Sequence, residues 1–216
     1  MNVSTGPRES HAAFILRMRA RGVNDIALFS AFETVRREEF LAPEWRRAAW
    51  SAGMLPIACG EAMESLDTQA LMIGALDLRG GERVLEIGTG SGYTAAVMAT
   101  LGARVVTLER FRTLSTDAQA RFERLGIPAT VRLADGCKGL HAEGPYDRVI
   151  AWAAFDQLPR FLGDQVASNG IVVAPMGPGE GVQTVLKLTK IGSRFDREDI
   201  GTARFQPLVQ GLAAAI

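Results

Sequence analysis

Apolar residues recur along the chain with two alternating periods, and that alternation predicts the architecture. Phe14, Ile15 and Met18 fall at helical spacing within residues 9–21, and Gly22 followed by Asn24-Asp25 marks a stop and a fresh N-cap before a second helix over 26–35. A third helix is expected over 67–76, ending before Arg79-Gly80-Gly81. From there strand and helix patterns take turns: strand 83–87, helix 92–101, strand 104–109, helix 112–125, strands 130–134 and 146–151, helix 158–166, strand 170–175. Alternation of this kind requires crossovers. It predicts an α/β, Rossmann-like fold, a mostly parallel sheet with helices on both faces and a helical segment at the N-terminus. Residues 184–189 and 195–200 read as late strands joined at Ile191-Gly192-Ser193, with their pairing open.

The end of the first of these strands carries the most specific chemistry. Val84-Leu85-Glu86-Ile87-Gly88-Thr89-Gly90-Ser91-Gly92-Tyr93 runs an apolar strand into a three-glycine turn and out into a helix. Glycine removes Cβ where backbone turns sharply and a ligand must lie against bare peptide. The spacing is G-x-G-x-G, one residue shorter than the G-x-G-x-x-G that seats a pyrophosphate, which argues for a ligand without phosphates. Glu109 closes the next apolar run about 20 residues on, where an acid can take both ribose hydroxyls. Loop and acid together read as an S-adenosyl-L-methionine site, with S-adenosyl-L-homocysteine as product.

Ligands of open α/β sheets lie beyond the carboxyl ends of the strands. Glu86 and the glycines, Glu109-Arg110, Asp135-Gly136 and Ala151-Trp152-Ala153-Ala154 stand at four such ends. Asp135 can accept from an adenine amino group, although Asp-Gly after a strand is also a common turn. Trp152 can pack near adenine or fill core, and Cys137 reads as a small buried thiol close to the site.

Composition narrows the class. At 216 residues the chain suits one domain, with residues 1–78 an N-terminal helical and acceptor-side segment, 79–190 the cofactor-binding core and 191–216 a C-terminal extension. Lys plus Arg equals Asp plus Glu at 24 each, so nothing favours non-specific attraction to nucleic acid or an anionic membrane. No apolar run approaches the roughly 20 residues of a membrane span. Cys59 and Cys137 lie outside metal-ligand spacing, no metal site is expected, and a reducing cytoplasm is the default. Oligomeric state has no signature. His11 and His141 read as exposed, and Arg36-Arg37 and Arg46-Arg47, interleaved with acids, as an exposed helix face.

The resemblance that organises these residues is to the protein-L-isoaspartate (D-aspartate) O-methyltransferases. It is carried by Arg21-Gly22-Val23-Asn24-Asp25, by Val35-Arg36-Arg37-Glu38-Glu39-Phe40-Leu41-Ala42-Pro43, by Leu55-Pro56-Ile57, by the loop from Glu86 to Tyr93 and by Asp135-Gly136. Pro175-Met176-Gly177-Pro178-Gly179 and Arg204-Phe205-Gln206-Pro207-Leu208 complete it. The resemblance implies methyl transfer to isoaspartyl carboxylates of damaged proteins or peptides, in protein repair. It implies that Glu86, Gly88, Gly90, Gly92, Glu109, Arg110, Asp135 and Gly136 hold the cofactor. Ala153, Ala154, Pro175 and Gly177 would then border the acceptor. A protein that keeps the cofactor fold without methylating is the reading from another class.

One segment departs from the family. Members resembling this chain usually carry Gly-x-Thr-Ile-Ser-Gln-Pro after Leu-Pro-Ile, with the serine beside the substrate carboxylate, whereas here the run is Gly60-Glu61-Ala62-Met63-Glu64-Ser65-Leu66. Glu64 stands at the serine position, and Ser65 follows one place later. Both are candidate catalytic residues. A carboxylate acceptor needs no general base, being ionised at pH 7 with a pKa near 4. An ionised Glu64 about 4 Å from it would oppose binding by about 4 kcal/mol at an effective dielectric near 20. Three arrangements resolve this. Glu64 turns to solvent and Ser65 or a backbone amide makes the contact; or burial keeps Glu64 protonated; or Glu61, Glu64 and Asp67 form an acidic rim serving a different acceptor, an amine or phenol. Glu61 and Asp67 also suit a solvated helix start, favouring its dipole.

Overall fold

The computed structural model describes residues 7–214; the ends of the expected domain, 1–6 and 215–216, lie outside it. Helices α1 (Pro7–Ala20), α2 (Ile26–Thr34) and α3 (Leu66–Ala75) precede the main sheet, with a small antiparallel hairpin, β1 (Leu55–Pro56) and β2 (Ala62–Met63), inserted before α3. Local chemistry sets the helix starts. Asp25 accepts from the Leu28 N–H at 3.0 Å and Ser65 from the Thr68 N–H at 3.1 Å, each filling one of the orphan donors of a first turn.

Seven strands follow with intervening helices: β3 (Arg83–Ile87), α4 (Tyr93–Thr100), β4 (Arg104–Glu109), α5 (Arg112–Leu125), β5 (Ala129–Leu133), β6 (Tyr146–Ala151), α6 (Phe161–Gln165), β7 (Val166–Met176), β8 (Gln183–Ile191) and β9 (Arg194–Ala203). Their spatial order is β5-β4-β3-β6-β7-β8-β9. β5 through β7 run parallel, while β8 and β9 run antiparallel to their neighbours. The chain walks outward from β3 to β5, then crosses to β6 on the other side of β3. That switch point is where an open sheet leaves a crevice. Central β3 is buried on both faces, Glu86 included among its apolar neighbours.

Val84 faces a core built with Phe14, Met18, Phe32, Tyr93 and Phe122 from helices α1, α2, α4 and α5. Leu85 and Ile87 face a second core with Tyr146, Leu162 and Val172. Each fully buried large side chain contributes about 1.5–3 kcal/mol. Helices cover both faces unequally, since the second face has only short α6 and irregular turns.

Three elements differ from the expected ones. The helix expected over 158–166 shrinks to Phe161–Gln165, because Pro159 disfavours helical backbone at Leu158 and β-branched Val166 already enters β7. β7 begins four residues early and carries a bulge at Asn169-Gly170, with Asn169 at φ 61° and the register against β6 slipping there. The late strands pair as a meander, β8 on β7 and β9 on β8 through Gly192-Ser193. No helix of the described residues is long and apolar enough to cross a membrane.

Candidate active site

The glycine turn after β3 is pinned to the neighbouring strand. The N–H groups of Gly88 and Thr89 both donate to the Leu108 carbonyl, and the Thr89 and Thr107 hydroxyls meet at 2.7 Å. Gly88, Gly90 and Gly92 have φ of 92°, 52° and 87°, the left-handed region that glycine enters without penalty. Their tasks differ. A Cβ on Gly92 would lie 2.6 Å from the Phe122 ring, so this glycine admits α5 against the start of α4 and does not line the cleft. Gly88 packs under Trp152, and Gly90 under Ile57 of the hairpin loop. Both are in the wall of a cleft of about 260 Å³ at the carboxyl ends of β3 and β4.

Glu109 stands in the same wall, 5% exposed, and its carboxylate is held by three backbone amides: Gly90 to Oε2 at 2.8 Å, Arg110 to Oε1 at 2.8 Å and Phe111 to Oε1 at 3.0 Å. Burial pushes its pKa up against those amides. Each carboxylate oxygen has about two acceptor sites, so the clamp fixes the group without exhausting it. Glu61 lines the cleft from the hairpin. Burial and then the charge of Glu109 raise its pKa, with Arg110 opposing, so two carboxyls face one space.

Arg110 lines the cleft and donates to the Gly211 carbonyl, anchoring the C-terminal segment. Asp135 caps the turn after β5 through Oδ1, which accepts from Cys137 N–H at 2.9 Å. Its Oδ2 is buried without a hydrogen-bond partner, 3.7 Å from Lys138 Nζ. Gly136 is in the cleft wall, where a Cβ would strike Ile87 at 2.5 Å.

Glu86 sits behind the loop, fully buried, and its Oε1 accepts from Thr94 Oγ1 at 2.6 Å and Trp152 Nε1 at 2.8 Å. Trp152 thus does two things, packing over Gly88 and tying β6 to β3. Burial raises the Glu86 pKa from 4.5 to about 7. The folded protein therefore holds this proton more tightly than the unfolded chain does. Stability is greatest below about 4.5 and erodes as pH rises to about 7, after which the penalty is constant, on the order of 3 kcal/mol. Glu86→Gln is accordingly expected to raise the thermal midpoint relative to wild type more at pH 8 than at pH 5. A difference independent of pH would show that Glu86 does not titrate in this range.

The hairpin fixes what each acid of the departing segment faces. Glu64 is 7% exposed, and burial raises its pKa to about 7, so the arrangement with Glu64 turned to solvent does not occur. Ser65 is engaged as the α3 cap, accepting from Thr68 N–H and donating to Thr68 Oγ1 at 2.8 Å. The acidic rim does not form either. Asp67 is ion-paired with Arg17 of α1 at 2.8 Å, Glu61 faces the cleft, and Glu64 lines a separate small cavity beside the glycine loop.

Of the residues expected to border the acceptor, Ala153 is in the cleft wall. Ala154 is buried under the returning chain, its N–H donating to the Gln206 carbonyl and its carbonyl accepting from Leu208. Pro175 is a buried residue of β7, and Gly177 N–H donates to the Phe155 carbonyl. Ala154 thus carries residues 206–209, which line the cleft, while Pro175 and Gly177 hold Phe155 behind it.

Two surface expectations are overturned. Arg37 is 3% exposed, donating to the carbonyls of Ala49 at 2.9 Å and Glu64 at 2.8 Å, with its Cζ 5.5 Å from the Tyr93 ring centroid. Arg36, Arg46 and Arg47 are exposed, as the interleaved charges predict. His11 is tucked against Phe14 and Trp50, whereas His141 is exposed. Cys137 is half-buried, and both cysteines are free. Sequence reasoning missed the loop 57–62 and segment 206–209 as cleft walls. The signal available was Cys59-Gly60, a turn between Leu55 and Met63, where Cys59 adopts φ 63°.

Comparison with known proteins agrees with this geometry. The family model for protein-L-isoaspartate(D-aspartate) O-methyltransferase matches residues 9–213. A protein-L-isoaspartate O-methyltransferase of Azorhizobium caulinodans is 43% identical over all of both chains, and one of Xanthobacter autotrophicus is 42% identical over 99% of this chain and 98% of its own. A solved protein-L-isoaspartate O-methyltransferase superposes with a TM-score of 0.80 at 26% identity, covering 94% of this chain and 67% of that one. The fold is shared, at 20% identity and a TM-score of 0.78, with a Plasmodium falciparum protein solved with S-adenosyl-L-homocysteine, over 92% of this chain and 98% of that one. With the glycine loop, the clamped Glu109 and the closing segment in one cleft, and with relatives matching from end to end, the chain belongs to the protein-L-isoaspartate(D-aspartate) O-methyltransferase family.

Proposed function

We propose that this chain methylates isoaspartyl carboxylates of damaged proteins from S-adenosyl-L-methionine, in protein repair. The observation that carries the reading is Glu109, its carboxylate clamped by the amides of Gly90, Arg110 and Phe111 on the wall of a cleft floored by bare glycine backbone. Glu109 accepts from the ribose hydroxyls, and Asp135, which adjoins Gly136 of the cleft wall without itself lining the cleft, is the acceptor proposed for the adenine amino group. Gly88, Gly90 and Gly136 let the ligand lie against peptide. Glu61 opposite Glu109 makes the cleft favour a cation and reject phosphates. When bound, the cofactor supplies an electrophilic methyl group on a sulfonium.

The acceptor carboxylate is already a nucleophile, so the chain's residues need only align it and exclude water. The hairpin loop and segment 206–209, which meet through Glu61 and Gln206, serve that shielding. Two free thiols suit a cytoplasmic protein. Calorimetry with S-adenosyl-L-homocysteine followed by labelled methyl transfer to an isoaspartyl peptide tests the reading. Binding with transfer to the isoaspartyl form and none to the aspartyl form is expected. Binding of NAD in place of S-adenosyl-L-homocysteine would overturn the cofactor, and binding without transfer would overturn the acceptor.

A further inference from the structure

Beside the glycine loop lies a second cavity of about 40 Å³ that shares Ile57, Ala62, Gly88, Gly90 and Trp152 with the main cleft. Thr89 and Thr94 of its lining are bonded to Thr107 and Glu86, but other polar groups there are without partners. Gln69 is 2% exposed and Tyr93 1%, and both Gln69 Oε1 and the Tyr93 hydroxyl are buried with no hydrogen bond. Glu64, 7% exposed, makes no side-chain hydrogen bond or ion pair among the described residues. Native proteins satisfy more than about nine in ten such groups, so two of them beside the unbonded Glu64 carboxyl mark where a polar group of a ligand belongs. The volume exceeds the roughly 10–15 Å³ needed for one oxygen-sized occupant.

The charges around Glu64 do not complement it. Arg37 directs its guanidinium to the carbonyls of Ala49 and of Glu64 itself. Asp67 on α3 is paired with Arg17 of α1, and Glu86 on β3 is bonded to Thr94 and Trp152. Glu61 of the hairpin faces the main cleft, and Tyr93 on α4 is pushed by burial far above its ordinary range, so it keeps its proton. A buried carboxyl with neither cation nor donor is stable with its proton on, and in that form it donates. Tyr93 donates too, as does the Gln69 amide after a half-turn. Two donors, and a third once the Gln69 amide is turned, suit an anionic oxygen in this space.

We propose that protonated Glu64, with the Tyr93 hydroxyl and the Gln69 amide, receives the acceptor's carboxylate at this pocket, so that methyl transfer requires a proton held on Glu64. The inference rests on the function proposed above. Burial places that proton's loss at about pH 7. Ionised Glu64 and the anionic acceptor then repel one another, and the site closes as pH rises.

The test is the pH profile of kcat/KM for an isoaspartyl peptide, read as S-adenosyl-L-homocysteine released, for wild type, Glu64→Gln and Glu64→Ser. Both variants keep a neutral donor, and calorimetry with S-adenosyl-L-homocysteine checks that their cleft is intact. Wild-type kcat/KM is expected to fall tenfold per pH unit above about 7, roughly a hundredfold by pH 9, while both variants stay flat from pH 6 to 9. A falling limb that persists in both variants belongs to another group, such as Glu86, and overturns the proposal, as does a flat wild-type profile. Loss of activity in both variants at every pH, with the cleft intact, also overturns it. No transfer by wild type at any pH overturns the proposed acceptor together with this inference.

Discussion

Glu109→Ala is expected to weaken S-adenosyl-L-homocysteine binding by roughly 10- to 150-fold, the equivalent of about 1.5–3 kcal/mol for charge-assisted hydrogen bonds from the ribose. The loss extends beyond the ligand. Gly90, Arg110 and Phe111 would all be left without their acceptor, and an unsatisfied buried amide costs about 1–3 kcal/mol. The glycine loop should therefore loosen, and the apo protein's thermal midpoint should fall as well. Glu109→Gln retains one carbonyl oxygen and is expected to lie between wild type and Glu109→Ala in both measurements. Calorimetry and thermal unfolding on the same samples check this, and unchanged affinity in Glu109→Ala would remove Glu109 from the cofactor site.

Arg37→Met is expected to lower stability by about 2–5 kcal/mol although no carboxylate pairs with this arginine. The stem and its packing are kept, but the carbonyls of Ala49 and Glu64 lose the donors that reach them at 2.9 and 2.8 Å, each loss being about 1–3 kcal/mol. For a chain of this size a kcal/mol moves the midpoint by about 2–4 °C, so a drop of roughly 4–20 °C should appear. Arg37→Lys offers a single point of donation and should recover only part. Because Arg37 fixes the backbone of Glu64, the variants should also lose turnover faster than they lose affinity for S-adenosyl-L-homocysteine. An unchanged midpoint would show that water replaces the guanidinium at no cost.

How far the site could be read in advance follows from how local each part is. The glycine loop needs only neighbours in sequence: positive φ at Gly88, Gly90 and Gly92 is a property of a short turn between a strand and a helix. Glu109 is legible because parallel strands end at one edge, so its distance along the chain fixes its place in space. Gly92 shows the limit. Its spacing marks it as a ligand contact, yet its neighbour is Phe122, thirty positions away and on α5, which no local pattern announces.

Sequence alone determined the order of helices and strands, the parallel character of the central sheet, the edge at which the acids gather and the family resemblance. These rest on periodicity and turn chemistry, which act within a few residues. Tertiary structure alone decided which polar groups are buried and what they face. The same pair Arg36-Arg37 gives one exposed and one buried guanidinium, and Glu61, Glu64 and Asp67 end in a cleft, a small side pocket and an ion pair with Arg17. Charge state follows burial and partners more than residue type, and both depend on segments distant in the chain. That is why the hairpin, not the motif, determines what Glu64 can do.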